Sequence, residues 1–128
     1  MKVLIAEAHP IFRGEVADFV TQLGHDVVYK AAGGNEALVA FFEHDADVVI
    51  TDVTMAHGTA VDLLQGIFRQ TKLVPCLVHS QLDQFIIGRT QMSLADLKNT
   101  FPSITIAKKP DNWSKLGYIK EFLDGLQK

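Results

Sequence analysis

Short, largely β-branched apolar runs alternate five times with segments whose apolar residues recur at helical spacing, and few folds accept that pattern. The runs cover residues 3–6, 26–30, 47–51, 74–79 and 103–107. The third contains Val48-Val49-Ile50-Thr51 without polar alternation, the pattern of a strand buried on both faces. Between the runs, residues 10–23 place Ile11, Phe12, Val16, Phe19, Val20 and Leu23 at helical spacing. Pro10 suits the first turn of that helix and Gly24 its stop. After the Gly33-Gly34 turn a short helix runs through Ala37, Leu38, Phe41 and Phe42. Residues 58–60 open a third helix with Val61, Leu64, Ile67 and Phe68 on one face. Ser93-Leu94-Ala95-Asp96 has the form of an N-cap with an acid in the first turn, so a helix is expected over 94–100. A last helix is expected over 114–127, with Leu116, Ile119, Phe122, Leu123 and Leu126 apolar. Residues 81–92 have no clear period and read as loop, or as a short helix through Leu82, Phe85 and Ile86.

Five βα units in series call for a parallel sheet covered on both faces. Right-handed crossovers leave few topologies. The expectation is a single α/β domain over residues 1–128, flavodoxin-like (βα)5, with strand order 2-1-3-4-5. A chain of 128 residues buries roughly two thirds of its unfolded surface. The net charge is −3 and no Lys/Arg stripe forms, so direct nucleic-acid binding is not expected. No apolar run approaches the roughly 20 residues of a membrane span. Glu7 and His9 interrupt the first run too early for a signal peptide. Cys76 is the single cysteine and lies in an apolar run. It reads as a small buried hydrophobe in a reducing, cytoplasmic compartment.

A parallel sheet opens the carboxyl ends of all its strands on one edge, and sites form there. That edge collects Glu7, Asp52, Ser80 and Lys109. Two carboxylates, a hydroxyl and an ammonium suit phosphoryl chemistry. Carboxylates hold a divalent cation such as Mg²⁺ through oxygen. A Lys and a hydroxyl bind phosphoryl oxygens, and an Asp oxygen serves as nucleophile, giving an aspartyl-phosphate. Plainer readings stand beside this one. Asp52 would cap a turn, Ser80 would cap the segment after it, and Glu7 would pair with Lys109 without any ligand. His57 with Ser80 and Asp52 suggests a hydrolase set, but no Gly-x-Ser-x-Gly elbow is present. His9 and His57 with Glu7 as transition-metal ligands lack metal spacing. Gly33-Gly34, followed by Asn35, is a turn and not a dinucleotide fingerprint.

Four segments resemble the receiver domains of two-component response regulators. Lys2-Val3-Leu4-Ile5-Ala6-Glu7-Ala8-His9-Pro10 is similar to their opening, and Ala31-Ala32-Gly33-Gly34-Asn35-Glu36-Ala37-Leu38 to their second turn and helix. Asp47-Val48-Val49-Ile50-Thr51-Asp52-Val53-Thr54-Met55 resembles the strand that carries their phosphoacceptor. Lys108-Lys109-Pro110 resembles their terminal Lys-Pro, where the peptide before proline is typically cis. The resemblance covers the whole chain. It implies that Asp52 is the phosphoacceptor, that Ser80 contacts and reports the phosphoryl group, and that Lys109 binds a phosphoryl oxygen. Glu7 would be the first member of the acidic pair, and the Thr54 backbone carbonyl would complete a Mg²⁺ site. A histidine kinase or phosphotransfer protein would donate the phosphate, and a downstream protein would read it. Homodimerisation through the last βα units is a further expectation from the resemblance. The only catalysis implied is that of the domain's own phosphorylation and dephosphorylation.

The departures are as informative as the matches. The second acidic position is Ala8, and a methyl group cannot coordinate a cation. Loss of that ligand predicts weakened Mg²⁺ binding. The turn after Asp52 is Ala56-His57-Gly58-Thr59-Ala60 in place of a Pro-Gly-like turn. The aromatic switch position, three residues before Lys109, is Ile106, which has no ring to rotate and no polar tip. The stretch from Ser80 to Lys109 is several residues longer than the family's, with the excess around 81–92. Phe85-Ile86-Ile87 in that excess is a candidate partner patch, whereas Phe41-Phe42 reads as core. Two functions follow: a working, atypical receiver, or a pseudo-receiver that binds partners without phosphorylation.

Overall fold

A computed structural model describes residues 1–70, 74–112 and 115–127. Its elements follow the alternation in the sequence: β1 (Lys2–Ala6), α1 (Pro10–Gln22), β2 (Asp26–Ala31), α2 (Gly34–His44), β3 (Val48–Asp52), α3 (Ala60–Phe68) and β4 (Cys76–Ser80). A pair of strands, β5 (Gln84–Ile87) and β6 (Thr90–Ser93), comes next, then α4 (Leu94–Thr100), β7 (Thr105–Lys108) and α5 (Gly117–Gly125). Five parallel strands form the main sheet in the order β2-β1-β3-β4-β7. With β7 as the fifth strand, this is the expected 2-1-3-4-5 topology.

Alternation along each strand divides the core in two, because successive side chains leave opposite faces of the sheet. Val3, Ile5, Val48, Ile50 and Leu77 join Phe12, Val16 and Val20 of α1 and Ile119 and Leu123 of α5. Leu4, Ala6, Val49, Cys76 and Val78 join Leu63, Leu64 and Ile67 of α3 and Leu97 of α4. All five residues of β3 are buried, as a central strand covered on both faces requires. Cys76 is buried, as expected, and burial pushes its thiol up to about 12. Phe41 is core but its neighbour Phe42 is exposed.

Capping sets where the helices begin. Thr59 and Ser93 each form a capping box, with Asp62 and Asp96 three residues on. The start expected for the last helix, residue 114, lies outside the described residues, and the helix ends at Gly125 rather than 127. No helix among the described residues is long and apolar enough to cross a membrane.

Three expectations need correction or refinement. Residues 81–92 are neither a loop nor a helix but carry an antiparallel hairpin pairing Gln84 with Ser93 and Ile87 with Thr90. Its two-residue turn is Gly88-Arg89, with Gly88 at φ 64. A positive φ at the first turn residue matches the right-handed twist of paired strands, and glycine reaches it without strain. The third helix starts at Ala60, because Gly58 is at φ 106 and Thr59 is the extended cap. No peptide bond among the described residues is cis, so the Lys109–Pro110 bond is trans.

The loop after β3 is tied to the start of α2. Gly34 N–H donates to the Gly58 carbonyl (2.8 Å) and Asn35 N–H to the His57 carbonyl (3.0 Å). Helix-start N–H groups have no partner inside the helix, so this contact satisfies them while fixing the loop. The approach is close: a Cβ on Gly34 would lie 2.5 Å from the Thr59 carbonyl oxygen. Gly14, in α1, has nothing within 4 Å of its Cβ position. Gly34→Ala is therefore expected to destabilise the fold by about 1–3 kcal/mol. Gly14→Ala is expected to stabilise it by about 0.5–1 kcal/mol. Thermal or denaturant unfolding of the two variants gives the opposite signs if the loop contact is as tight as described.

Candidate phosphoryl site at the carboxyl edge of the sheet

Each candidate side chain reaches the edge because its strand ends there. Glu7 follows β1, and its N–H donates to the Ala31 carbonyl at 2.9 Å. Asp52 closes β3, and its Oδ1 accepts from Val53 N–H at 2.8 Å. Ser80 closes β4, and its carbonyl accepts from Lys109 N–H at 2.9 Å. That bond places Lys109, one residue past β7, beside the other three. The four residues predicted to converge are brought together.

Lys109 is the centre of the arrangement. Its Nζ is 2.7 Å from Glu7 Oε1 and 2.9 Å from Asp52 Oδ1. It also sits 5.2 Å from the centroid of the Phe12 ring, a cation–π distance. Glu7 is 1% exposed and Asp52 8% exposed, so neither carboxylate has water enough to stand alone. Glu7 Oε1 has no well-directed hydrogen bond among the described residues; its contact with Lys109 is an ion pair. Glu7 Oε2 accepts from His9 N–H (3.1 Å), and the Glu7 carbonyl accepts from Arg13 Nη1 (2.9 Å). The ion pair between Glu7 and Lys109 weighed from the sequence is therefore present, and it extends to Asp52.

Charge bookkeeping at the edge sets the protonation of Glu7. Burial first, and then the neighbouring charge of Asp52, push its carboxyl up to about 7, while Lys109 pulls it back. Two acids against one ammonium leave an excess negative charge, and a proton on Glu7 relieves it.

His79, which the sequence analysis did not single out, completes the network from the other face of β4. Its Nε2 lies 3.7 Å from Glu7 Oε1, and its Nδ1 is 2.8 Å from the Tyr118 hydroxyl of α5. The imidazole lies against the rings of Phe12 and Tyr118. Burial, and then Lys109, push it down to about 3, so it is neutral. Burial pushes the Tyr118 hydroxyl up. The signal available in the sequence was a histidine within an otherwise apolar strand, Cys76-Leu77-Val78-His79.

A cleft of about 500 Å³ opens over these residues, lined by Asp52, Thr54, Ser80 and Lys109 on one side. Leu82, Phe85 and Ile86 of the hairpin region form its other wall. Ala8 also lines the cleft and presents a methyl group to it. Among the described residues no group of three His, Cys, Asp or Glu side chains is placed to hold a metal ion. Lys109 occupies the cationic position between the two carboxylates. The side chains as arranged thus do not fit a tightly held Mg²⁺, which needs several hard oxygens in near-octahedral array. The remaining histidine proposals do not materialise. His9 caps α1, and His57, at φ 59, lines a separate cleft with Ala8, Gly33 and Glu36.

Comparison with known proteins agrees with the fold. The model of the response regulator receiver domain family matches residues 3–94. Chemotaxis protein CheY of Thermotoga maritima is 28% identical over 83 residues, covering 62% of this chain and 69% of that protein. Transcriptional regulatory protein PdtaR of Mycobacterium tuberculosis is 30% identical over 83 residues, and the match spans 40% of its length. Among solved structures, the CheX–CheY–BeF3–Mg complex of Borrelia burgdorferi superimposes with a TM-score of 0.79 at 19% identity. That alignment covers 100% of this chain and 90% of the other, and it speaks for the fold alone. CheY4 of Vibrio cholerae superimposes with a TM-score of 0.73 at 25% identity, covering 98% of this chain and 95% of that one.

The pH dependence has two opposing parts. Glu7 titrates near 7 in the fold against an ordinary 4.5, so the folded state binds more protons between those values. Stability from this group is present below 4.5 and is lost as pH rises through about 7. His79 falls from 6.5 to about 3, so its burial costs stability in acid and the cost fades as pH rises through 6.5. In protein free of divalent cations, carbon-13 shifts should report a Glu7 carboxyl midpoint near 7. Asp52→Asn removes the neighbouring charge and should lower that midpoint; a midpoint that stays put would show the two acids are not coupled.

Proposed function

Since the chain belongs to the response regulator receiver domain family, a signalling module and not an enzyme, we propose that it accepts a phosphoryl group on Asp52 and passes the signal to a protein partner. The observation that carries this reading is the placement of Lys109 Nζ 2.9 Å from Asp52 Oδ1, at the floor of a cleft shared with Ser80 and Thr54. The donor is a phosphohistidine on a sensor histidine kinase or phosphotransfer protein. A carboxylate oxygen of Asp52 attacks phosphorus in line. The O–P bond forms as the N–P bond breaks, and the imidazole leaves with the electron pair and takes a proton from solvent. Lys109 stays beside Asp52 and neutralises charge on the phosphoryl oxygens, and the Ser80 hydroxyl donates to one of them. Preorganisation supports this role, because Lys109 is already held by its backbone bond to Ser80.

Glu7, Asp52 and the Thr54 carbonyl are the groups that would meet Mg²⁺, and Ala8 leaves them one carboxylate short. Affinity for a divalent cation is accordingly weak. Cys76, buried and the only cysteine, suits a cytoplasmic setting. A second reading, a pseudo-receiver that binds partners without phosphorylation, draws its support from Ala8 and from the way Lys109 already pairs with both carboxylates.

Intact mass after incubation with Mg²⁺ and a small phosphodonor separates the two. The wild type should gain one phosphoryl group, and Asp52→Asn should gain none. Ala8→Asp, restoring the absent carboxylate, should raise apparent Mg²⁺ affinity roughly tenfold or more. Modification of Ala8→Asp alone, with the wild type inert at millimolar Mg²⁺, would decide for the pseudo-receiver.

A further inference from the structure

The segment that leads from β4 into the β5–β6 hairpin is bonded to the Ser80 side chain at the candidate site. Ser80 Oγ accepts from Leu82 N–H at 3.1 Å, two residues before β5 begins. A hydroxyl carries one donor and two acceptor lone pairs. Here one lone pair is used, and no described residue takes the proton. Ser80 is 7% exposed and shares the cleft with Asp52 and Lys109. Its carbonyl is held by Lys109 N–H, so the residue cannot swing out of the site without breaking the β4–β7 edge.

The hairpin itself is thinly supported. A two-stranded sheet is marginal alone. Its buried anchor is Phe85, with Ile87 and Met92 partly buried against the same core as Ile106. Leu82 and Ile86 are exposed. Its base is tied by Leu94 N–H to the Asp83 carbonyl (3.2 Å) and by an exposed Lys108–Asp83 ion pair. Ile106, at the position where the family carries a switch aromatic, has no polar tip with which to follow Ser80. What the Ser80 hydroxyl does touch is Leu82 N–H, in the segment that leads into the hairpin.

Resting on the reading of Asp52 as phosphoacceptor, we propose that the β5–β6 hairpin is the reporting element of this domain, clamped when a phosphoryl oxygen accepts a hydrogen bond from the Ser80 hydroxyl. The hydroxyl donates to the phosphoryl group and keeps Leu82 N–H as its own donor. Donation to an anionic oxygen polarises the hydroxyl, and its lone pair becomes a better acceptor. The bond to Leu82 tightens, the lead-in to β5 is held over the cleft, and Leu82 and Ile86 are fixed as a presented surface. The same atom serves both bonds, so the coupling needs no aromatic rotation.

Amide hydrogen exchange tests this with fluoroberyllate and Mg²⁺ as the phosphoryl mimic, its binding followed separately by fluorine NMR. In the wild type, Leu82 exchange should slow severalfold on binding, with smaller gains at Phe85 and Met92. Ser80→Ala should leave Leu82 fast with or without the mimic, and Ser80→Thr, which keeps the hydroxyl, should restore the slowing. Leu82→Pro removes the N–H at an exposed position; it should bind the mimic while Phe85 and Met92 gain nothing. That variant decides the matter if Ser80→Ala fails to fold or to bind. Bound mimic with Leu82 exchange unchanged or faster in the wild type overturns the clamp and leaves the phosphoacceptor reading standing. Protection gained at Phe85 and Met92 in Leu82→Pro overturns it too. No bound mimic and no phosphorylation of the wild type would overturn both.

Discussion

One ammonium shared by two buried carboxylates governs the functional edge of this protein. Lys109 lies within ion-pair distance of both Glu7 and Asp52, and burial removes the water that would otherwise screen the two acids from each other. With a single positive charge for two negative ones, Glu7 is driven toward its protonated form. Neutral His79, fixed by Tyr118, backs the cluster without adding charge. On the proposed reading, a phosphoryl group on Asp52 would redistribute Lys109 between its partners.

The scaffold around this cluster is densely buried at the strand ends and thinly buried at the hairpin. β1, β3 and β4 are buried almost throughout. The loop after Asp52 is locked against the start of α2 by glycines that admit no side chain. The hairpin after Ser80, by contrast, has few buried residues and exposes Leu82 and Ile86. Ala8 and Ile106 bring no metal-ligating oxygen and no ring to this edge. Asp52, Lys109 and Ser80 remain, and they are the residues on which the proposed phosphoryl chemistry rests.

Much of the fold was legible because it rests on local periodicity. The unbroken Val48–Thr51 run announced a strand covered on both faces, and Ser93 with Asp96 announced a helix start. Residues 81–92 were harder. Phe85-Ile86-Ile87 fits a strand or a helix equally, and β6 is the polar Thr90-Gln91-Met92-Ser93. The one clue was Gly88-Arg89, a two-residue turn with glycine first, and it gains meaning only once both flanks are read as extended. His79 was overlooked for a related reason. A lone histidine in an apolar strand has no partner in sequence; Tyr118 lies 39 residues away.

The sequence by itself determined the layered α/β architecture, the order of its main elements and the four residues at the sheet edge, since strand ends and residue types are local properties. Only the tertiary structure decided how those four are joined. That Lys109 bridges both acids, that Glu7 is pushed toward neutrality and that Ser80 is bonded to the hairpin all depend on burial and on distances between strands far apart in the chain. Electrostatics and hydrogen bonding act through space, and no pattern along the chain encodes an interatomic distance.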